Sequence, residues 1–280
     1  MVASVDQLRA LLDLRHAGVT TFTGRLPATA RTRVFGGYVL GQALAAAGRT
    51  VGPARWPHSL HASFLRAGDP RVPIDYEVDS LREGKAFSTR GVRASQGSTL
   101  ICTMTASFHV DEPGLDFQRS APPAAPPDTL ARHTENLEEW PDIYAEWSAL
   151  DIRRVPLEPI ASQDEPDGPS RARTWLRSTA PLPNDPLLHS CLLACISDLT
   201  LLSVVLVPHG IPARHEGYAL ASLDHSVWFH RPGRVDEWLL YDQTTASTSN
   251  ALGLAQGRLL TVDGTLVASV AQEGLFRKGD

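Results

Sequence analysis

Two stretches of this 280-residue chain repeat one order of predicted elements, a helix followed by several strands. In the first stretch, YVLGQALAAAGRTV favours a helix that ends near Gly48, because alanine and leucine favour helices and glycine favours their ends. Four segments rich in β-branched and aromatic residues follow, separated by short turns, which is typical of antiparallel strands. Their sequences are SLHASFLR, PIDYEVDSL, AFSTRGVRA and TLICTMTASFHV. The order predicts an α+β fold.

The second stretch begins at Asp185-Pro186, where Asp185 is the predicted N-cap and Pro186 the first helical residue. The predicted helix is long and apolar, and it ends at about Val207. Strands are expected again in YALASLDHSVWFH, EWLLYDQ, LAQGRLLTV and TLVASVAQEGLF. Short sequences also match between the stretches: SFLRAG is similar to WFHRPG, and TLICTMTASF is similar to TLVASVAQEG. We therefore expect two copies of one unit.

A proline-rich segment from Asp111 to Asp128 separates the two stretches. Proline lacks the amide hydrogen that a sheet interior needs, so this segment is expected to be a semi-rigid connector. A chain of this length, 42% hydrophobic, is long enough to bury two cores. We predict three parts: residues 1–110, which open with an amphipathic helix from Val5 to about Leu14; a linker and variable segment, residues 111–170; and residues 171–280.

Charge and cysteine content argue against several classes of function. The net charge is -5 and the 26 basic residues are scattered, so no surface for a nucleic acid is expected. The odd number of cysteines favours reduced thiols in a cytoplasmic protein, and the N-terminus lacks the order of a signal peptide. His189 does not complete a four-ligand metal set with Cys191 and Cys195, which share a predicted helix face and are expected to pack. We expect neither a metal nor a cofactor.

The segment from Leu187 to Val207 is long enough to cross a bilayer, whose apolar core is roughly 30 Å thick. Asp198 lies in its middle, where a carboxylate is costly in lipid, and basic flanks and an aromatic belt are absent from the sequence. A helix buried inside the protein is therefore the better interpretation, and no membrane span is expected.

Each half of the chain contains its own set of informative motifs. In the first half they are Arg33-Val34-Phe35-Gly36-Gly37, Gly41-Gln42-Ala43-Leu44, His58-Ser59-Leu60-His61, Phe64-Leu65-Arg66 and Gly68-Asp69. In the second half they are Ser197-Asp198-Leu199, Leu223-Asp224-His225-Ser226, Trp228-Phe229-His230-Arg231-Pro232, Glu237-Trp238-Leu239-Leu240-Tyr241 and Ala271-Gln272-Glu273-Gly274. In this order the chain resembles the bacterial and peroxisomal acyl-CoA thioesterase II family. Tyr38 stands where that family often has glutamine, and the resemblance is weakest from about Gln118 to Arg171.

The resemblance implies a double hotdog fold, two repeats of a long buried helix wrapped by an antiparallel β-sheet. Residues 1–110 would form the N-terminal hotdog, and residues 171–280 the C-terminal hotdog that carries the catalytic residues. The resemblance also implies hydrolysis of fatty acyl-CoA by a water molecule that an aspartate, a hydroxyl residue and a glutamine hold. These roles match Asp198, Ser222 and Gln272, although the hydroxyl residue of the family is commonly threonine.

The residues suit that chemistry, because a thioester is already activated and water held in place can attack it without a covalent nucleophile. Asp198 would accept the water proton. From the pattern alone, a structural aspartate bonded to a neighbouring strand is equally consistent, and the resemblance favours catalysis. Gly36 and Gly37 would let the substrate approach the backbone amides at a helix start. Gln42 takes roughly the helix position of Asp198, so we expect one site per chain.

Two other functions remain open. Asn184-Asp185-Pro186-Leu187-Leu188-His189 faintly resembles the signature of hotdog enoyl-thioester hydratases, but the spacing differs and Asp185 is already explained as a helix cap. A hotdog module could also bind acyl-CoA without hydrolysing it. Serine-nucleophile hydrolysis is disfavoured because the sequence contains no Gly-x-Ser-x-Gly motif. Since hotdog sheets expose long edges that pair with another copy, we expect a homo-oligomer.

Overall fold

The computed structural model describes residues 1–156, 170–212 and 217–278. Three α-helices occur in these ranges, α1 (Val5–Ala10), α2 (Gly36–Gly48) and α3 (Pro186–Thr200). A 3-10 helix, Leu201–His209, continues α3, and four shorter ones lie between residues 127 and 146. The strands are β1 (Arg15–His16), β2 (Thr21–Gly24), β3 (Arg55–Phe64), β4 (Ile74–Glu83), β5 (Phe87–Gln96), β6 (Thr99–Val110), β7 (Leu150–Val155), β8 (Arg171–Ser178), β9 (Tyr218–Ser222), β10 (Asp224–Phe229), β11 (Leu239–Ser249), β12 (Leu252–Thr261) and β13 (Leu266–Lys278).

These strands form one antiparallel sheet that is continuous through both halves of the chain. Its centre is the pairing of β3 with β10, in which Leu60 lies opposite Val227. From β3 outward the order is β6, β5, β4, β2, β1; from β10 outward it is β13, β12, β11, β8, β7. The short strand β9 pairs with the C-terminal part of β13. Each half of the chain thus supplies one strand of the central pair and the strands that extend outward from it.

The helices α2 and α3 lie side by side and antiparallel, because small residues on α2 allow close approach. A Cβ atom placed on Gly37 would lie 2.2 Å from the carbonyl oxygen of Cys195, so only glycine fits there. Near the other end of the contact, a Cβ on Gly48 would lie 2.7 Å from the side chain of Leu187. The start of α2 therefore meets the last turn of α3.

Both long helices are buried on most sides, as their sequences predict. The segment Pro186–His209 is apolar and long enough to cross a membrane, but 78% of its most apolar window is buried inside the protein. This burial supports the interpretation as a core helix. Cys191 and Cys195 both contact the α2 face at Gly41, which confirms their predicted packing. The described residues hold no cluster of three metal-ligating side chains.

Several predicted boundaries are confirmed and others are wrong. The side chain of Asp185 accepts hydrogen bonds from the amides of Leu187 and Leu188, so the predicted cap is present. Helix α2 ends at Gly48 as predicted. Helix α1 ends at Ala10, four residues before the predicted end, because the next turn is already irregular. The long apolar helix changes at Thr200 into the 3-10 form.

The proline-rich segment has no regular secondary structure until a 3-10 helix begins at Pro127, and it packs against the second half of the sheet. The indole of Trp175 donates to the carbonyl oxygen of Ala125 at 2.9 Å, and the guanidinium of Arg173 donates to that of Pro123 at 3.1 Å. The side chain of Gln118 bonds to the backbone around residues 264–266. The segment is thus held along the sheet at several points. Residues 157–169 of the predicted variable segment lie outside the described residues.

Candidate active site

Asp198 lies in the last turn of α3, and its carboxylate is almost fully buried. A negative charge near the C-terminus of its own helix is unfavourable, because the helix dipole is negative there. The neighbouring N-terminus of α2 opposes this effect: a Cβ on Gly36 would lie 2.8 Å from Oδ2 of Asp198. The first amides of a helix have no intrahelical acceptor, and the N-cap residue Phe35 supplies none from its side chain. Free amides and a carboxylate therefore meet at this point.

Gln272 and Ser222 complete the group from two paired strands. The Nε2 atom of Gln272 donates to Oδ1 of Asp198 at 2.6 Å and to Oγ of Ser222 at 2.7 Å. The hydroxyl of Ser222 donates to the same Asp198 oxygen at 3.4 Å. Gln272 is fully buried, whereas Ser222 is partly exposed and marks the side from which solvent reaches the group. The three residues predicted from the family resemblance are therefore in mutual contact.

An interruption between β9 and β10 turns Ser222 towards Asp198. Ser222 pairs with Gly274 of β13, but the ladder then breaks at Leu223 before β10 resumes the pairing. At the break, the carboxylate of Asp224 accepts a hydrogen bond from the amide of Glu273 at 2.8 Å. The Asp224 side chain thus satisfies a backbone donor that the interrupted ladder leaves free.

Neutral polar groups surround the Asp198 carboxylate on its inner side. The Nδ1 atom of His225 lies 3.8 Å from Oδ1 of Asp198. Burial lowers the pKa of His225, although the carboxylates of Asp198 and Asp224 raise it in part, so the imidazole is neutral near pH 7. Tyr241 donates to the carbonyl oxygen of Ser197 at 2.9 Å, and burial together with Asp198 raises the pKa of its phenol.

An aromatic ring forms one wall of the group. The Cζ atom of Phe64 would lie 2.8 Å from a Cβ on Gly36, which places the ring beside Asp198. Its position is fixed by the backbone, since the amide of Phe64 donates to the carbonyl oxygen of Leu223 at 2.8 Å. Leu223, whose carbonyl oxygen accepts this bond, adds exposed apolar surface beside the ring. The group therefore has a polar floor and an apolar rim, as a lipid-like thioester would require.

The two glycines named from the sequence have different positions. Gly36 borders the Asp198 carboxylate, whereas Gly37 lies against the Cys195 carbonyl in the helix contact. Gln42 is also buried, but it accepts from the phenol of Tyr76 at 2.8 Å and donates to two backbone carbonyls within the first half. Its position has a structural explanation, and the prediction of one site per chain remains open.

His225 is the residue near this group that sequence reasoning missed. Its place in the motif Leu223-Asp224-His225-Ser226 was the available signal, but the motif was used only for the family resemblance. The alternation along β10 was a second signal, because His225 is buried whereas its neighbours Asp224 and Ser226 are only partly buried. Its contact with Asp198 depends on how α3 crosses β10, which the sequence does not reveal.

The arrangement provides what attack by water requires. The carboxylate of Asp198 can accept a proton, and the Ser222 hydroxyl can bind a water molecule at the solvent side. The amides at the start of α2 can stabilise a developing negative charge. Each group is held by hydrogen bonds or packing, so little reorganisation is needed when a substrate binds.

Comparisons with known proteins give consistent matches over most of the chain. Residues 24–109 match the sequence profile of a family described as acyl-CoA thioesterase N-terminal domain, and residues 153–275 match that of acyl-CoA thioesterase. Acyl-coenzyme A thioesterase 8 of Mus musculus is 36% identical in an alignment of 260 positions that covers 88% of this chain and 80% of that protein.

Solved structures give the same result. The crystal structure of an acyl-CoA thioesterase II from Mycobacterium marinum is 40% identical and has a TM-score of 0.84, covering 98% of this chain and 99% of that one. A protein of unknown function with a hot dog fold from Alicyclobacillus acidocaldarius has a TM-score of 0.78 at 20% identity, covering 98% of both chains, and it shows the fold alone. The sequence matches and the shared hotdog fold together establish that this chain belongs to the acyl-CoA thioesterase family.

Proposed function

We propose that this protein hydrolyses fatty acyl-CoA to a free fatty acid and CoA, with a water molecule as the direct nucleophile. Membership of the family supports the thioester substrate. The observation that carries the mechanism is the contact of Asp198, Ser222 and Gln272, which join a buried carboxylate to two groups that orient it. No cofactor is needed, because the thiolate of CoA is a good leaving group.

Each step of the proposed reaction uses a group already described. The water oxygen bonds to the thioester carbon while Asp198 takes one proton, and the carbonyl oxygen becomes an oxyanion. Gly36 borders Asp198 at the start of α2, so the first amides of this helix would donate to this oxyanion. The oxyanion then re-forms the carbonyl group as the carbon–sulfur bond breaks, and the CoA thiolate leaves with the proton that Asp198 had accepted, which restores the carboxylate. Ser222 and Gln272 hold the water and the carboxylate in the geometry for attack.

The first alternative, an enoyl-thioester hydratase, has less support. Its faint signature depends on Asp185 and His189. Asp185 caps α3, and Nδ1 of His189 accepts a hydrogen bond from the amide of Val235 at 3.1 Å. Both side chains thus have structural partners away from the Asp198 group. Crotonyl-CoA hydration without release of thiol would favour this alternative.

The second alternative is a module that binds acyl-CoA without hydrolysing it. A buried carboxylate with two orienting donors has no evident purpose in such a module, since burying a charge costs free energy. Tight binding of acyl-CoA with no release of thiol would favour this alternative over hydrolysis.

We also propose that the fold is a double hotdog. The strand order outward from the central pair supports it, because each half supplies five further strands in matching positions. The similar sequences SFLRAG and WFHRPG fall at the ends of β3 and β10, the two central strands. Residues 1–110 and 171–280 would be the repeats and residues 111–170 the connecting segment. In a crystal structure, superposing α2 on α3 should also superpose β3 on β10; a poor match would contradict the repeat.

Assembly and location are further expectations. The outermost strands of the sheet are β1 and β7, and pairing of such edges with a second copy would give the homo-oligomer that the fold favours. Light scattering should then give a mass above that of one chain, and a monomer at working concentrations would contradict it. Residence in the cytoplasm remains a prediction from the cysteine content.

The decisive test measures thiol release from acyl-CoAs of increasing chain length with the wild type and with Asp198→Asn. The substitution removes the proton acceptor but keeps the size of the side chain, so turnover should fall by roughly two orders of magnitude or more. Asp185→Asn is the matched control on the same helix, because asparagine caps helices as well as aspartate does. Near-normal hydrolysis by folded Asp198→Asn would remove Asp198 from the mechanism.

A further inference from the structure

His225 is a fully buried imidazole enclosed by the Asp198 group, and the proposed mechanism gives it no role. It lies on β10, with Ala62 of β3 as its neighbour across the central strand pair. Its Nε2 atom lies 2.8 Å from Oγ of Ser197, the residue before Asp198 on α3. Its Nδ1 atom faces the opposite way, towards Asp198 and Gln272.

Two buried polar atoms in this region lack a hydrogen bond of normal geometry within the described residues, Nδ1 of His225 and Oε1 of Gln272. A buried polar atom without a partner has lost its hydrogen bonds to water and gained none in return, so two such atoms in one place call for an explanation. The Gln272 side chain is close enough to His225 for a hydrogen bond between them to raise the pKa of the imidazole. A small adjustment would therefore satisfy both atoms at once.

The neighbouring hydrogen bonds determine which nitrogen of His225 carries the proton. A neutral imidazole has one donor and one acceptor nitrogen. With the proton on Nε2, the bare Nδ1 would face only acceptors, the oxygens of Gln272 and Asp198. With the proton on Nδ1, that nitrogen donates towards Oε1 of Gln272, and the hydroxyl of Ser197 donates to Nε2 at 2.8 Å instead of to the carbonyl oxygen of Ala194 at 3.0 Å. The second arrangement gives partners to both ring nitrogens and to Oε1 of Gln272, and gives up only the bond of the Ser197 hydroxyl to a carbonyl oxygen of its own helix.

The same contact determines the orientation of the Gln272 amide. Nε2 of Gln272 donates to both Asp198 and Ser222, which requires Oε1 to point the other way, towards His225. If the amide turned over, Oε1 would face the Asp198 carboxylate and two acceptors would repel each other. A donor on the far side of Gln272 prevents this reversal.

We propose that His225 is a positioning residue of the thioesterase site: its Nδ1–H group bonds to Oε1 of Gln272 and keeps Nε2 of Gln272 directed at Asp198 and Ser222. The inference rests on the proposed function, since it assigns His225 a role in holding that catalytic group. His225 does not touch the substrate, so its effect should fall on kcat and leave KM nearly unchanged.

Two substitutions separate this role from packing. The amide nitrogen of His225→Asn lies where Nδ1 was and can still donate to Gln272, whereas that of His225→Gln lies where Nε2 was and cannot. His225→Gln should lower kcat by roughly 10-fold to 100-fold, the range for a misplaced catalytic group, and His225→Asn should stay within about threefold of the wild type. Equal losses in the two variants would overturn the proposal. His189→Asn, a buried histidine of α3 bonded to Val235, is the control for loss of an imidazole.

A double-mutant cycle tests the route through Gln272. In a Gln272→Ala background the further change His225→Gln should lower kcat by less than about twofold, because the amide that it positions is gone. Losses that multiply would overturn the proposal. Asp198→Asn is assayed alongside: if that variant is active, the water mechanism itself fails, whereas an inactive Asp198→Asn with an active His225→Gln refutes only the role of His225.

A measurement on the wild type covers the case in which variants fail to fold. Nitrogen-15 NMR of labelled histidines distinguishes the two neutral tautomers directly. His225 should carry its proton on Nδ1 near pH 7, and a proton on Nε2 would overturn the proposal.

Discussion

At Gly36, the addition of a single methyl group should lower activity while the protein still folds. A Cβ at this position would lie 2.8 Å from Oδ2 of Asp198 and 2.8 Å from the ring of Phe64, whereas ordinary contacts are 3.4–4 Å. The carboxylate or the ring must therefore move by roughly 0.5–1 Å, and a displacement of about 1 Å can cost 10²-fold in rate. For Gly36→Ala we predict a fall in kcat/KM of about 100-fold, equivalent to about 2.7 kcal/mol.

The assay is thiol release under steady-state conditions, with unfolding in urea to measure stability. Gly41→Ala is the matched control on α2, since its Cβ would lie 3.0 Å from the Cys191 carbonyl oxygen in the helix contact, away from Asp198. It should lower the free energy of unfolding by about 1–3 kcal/mol with little change in kcat. Wild-type kcat/KM in Gly36→Ala, or equal losses of activity in both variants, would refute the assignment of Gly36 to the site.

Two further predictions concern the hydroxyl and the buried histidines. Ser222→Ala removes a partner of Asp198 and should lower kcat by about 10-fold to 100-fold, because a hydrogen bond to a charged group contributes about 1.5–3 kcal/mol. Ser222→Thr keeps the hydroxyl and should retain activity. Equal activity of the two variants would argue against a role for the hydroxyl. Burial lowers the pKa of several histidines, so the unfolded chain takes up protons below about pH 6.5 while the folded chain does not, and stability present above that pH is lost on acidification. Urea unfolding at pH 7.5 and pH 5.5 should show the decrease, and equal or greater stability at pH 5.5 would contradict it. The buried histidines concerned are His133, His189 and His225.

Local signals in the sequence predicted the main elements well. Asp185 and Pro186 gave the start of α3, because a cap and a first-turn proline act through adjacent residues alone. The four strands after α2 followed from their content of β-branched and aromatic residues and from the turn signals between them. The contact of the three residues of the candidate site was expected only through the family resemblance, since no local rule brings residues 198, 222 and 272 together.

Features that depend on long-range contacts were not predictable. The short strand β2 forms because β4 offers a partner, and β1 pairs in turn with β2; the two sequences alone carry little strand signal. The proline-rich segment was predicted as a connector, but its carbonyl groups bind side chains of the second half such as Trp175. Likewise, the role inferred for His225 arises where β10 crosses α3, and only the assembled fold places the imidazole beside Gln272.

The central claim, direct attack by a water molecule on the thioester, is tested most directly by a single turnover in water enriched in oxygen-18 with enzyme in excess. Mass spectrometry of the fatty acid and of the peptides of the digested enzyme gives the position of the label. Direct attack predicts one oxygen-18 atom in the fatty acid and none in the peptide that contains Asp198. An unlabelled fatty acid, with oxygen-18 in the carboxylate of Asp198, would mean that Asp198 attacks the thioester itself and would contradict the mechanism.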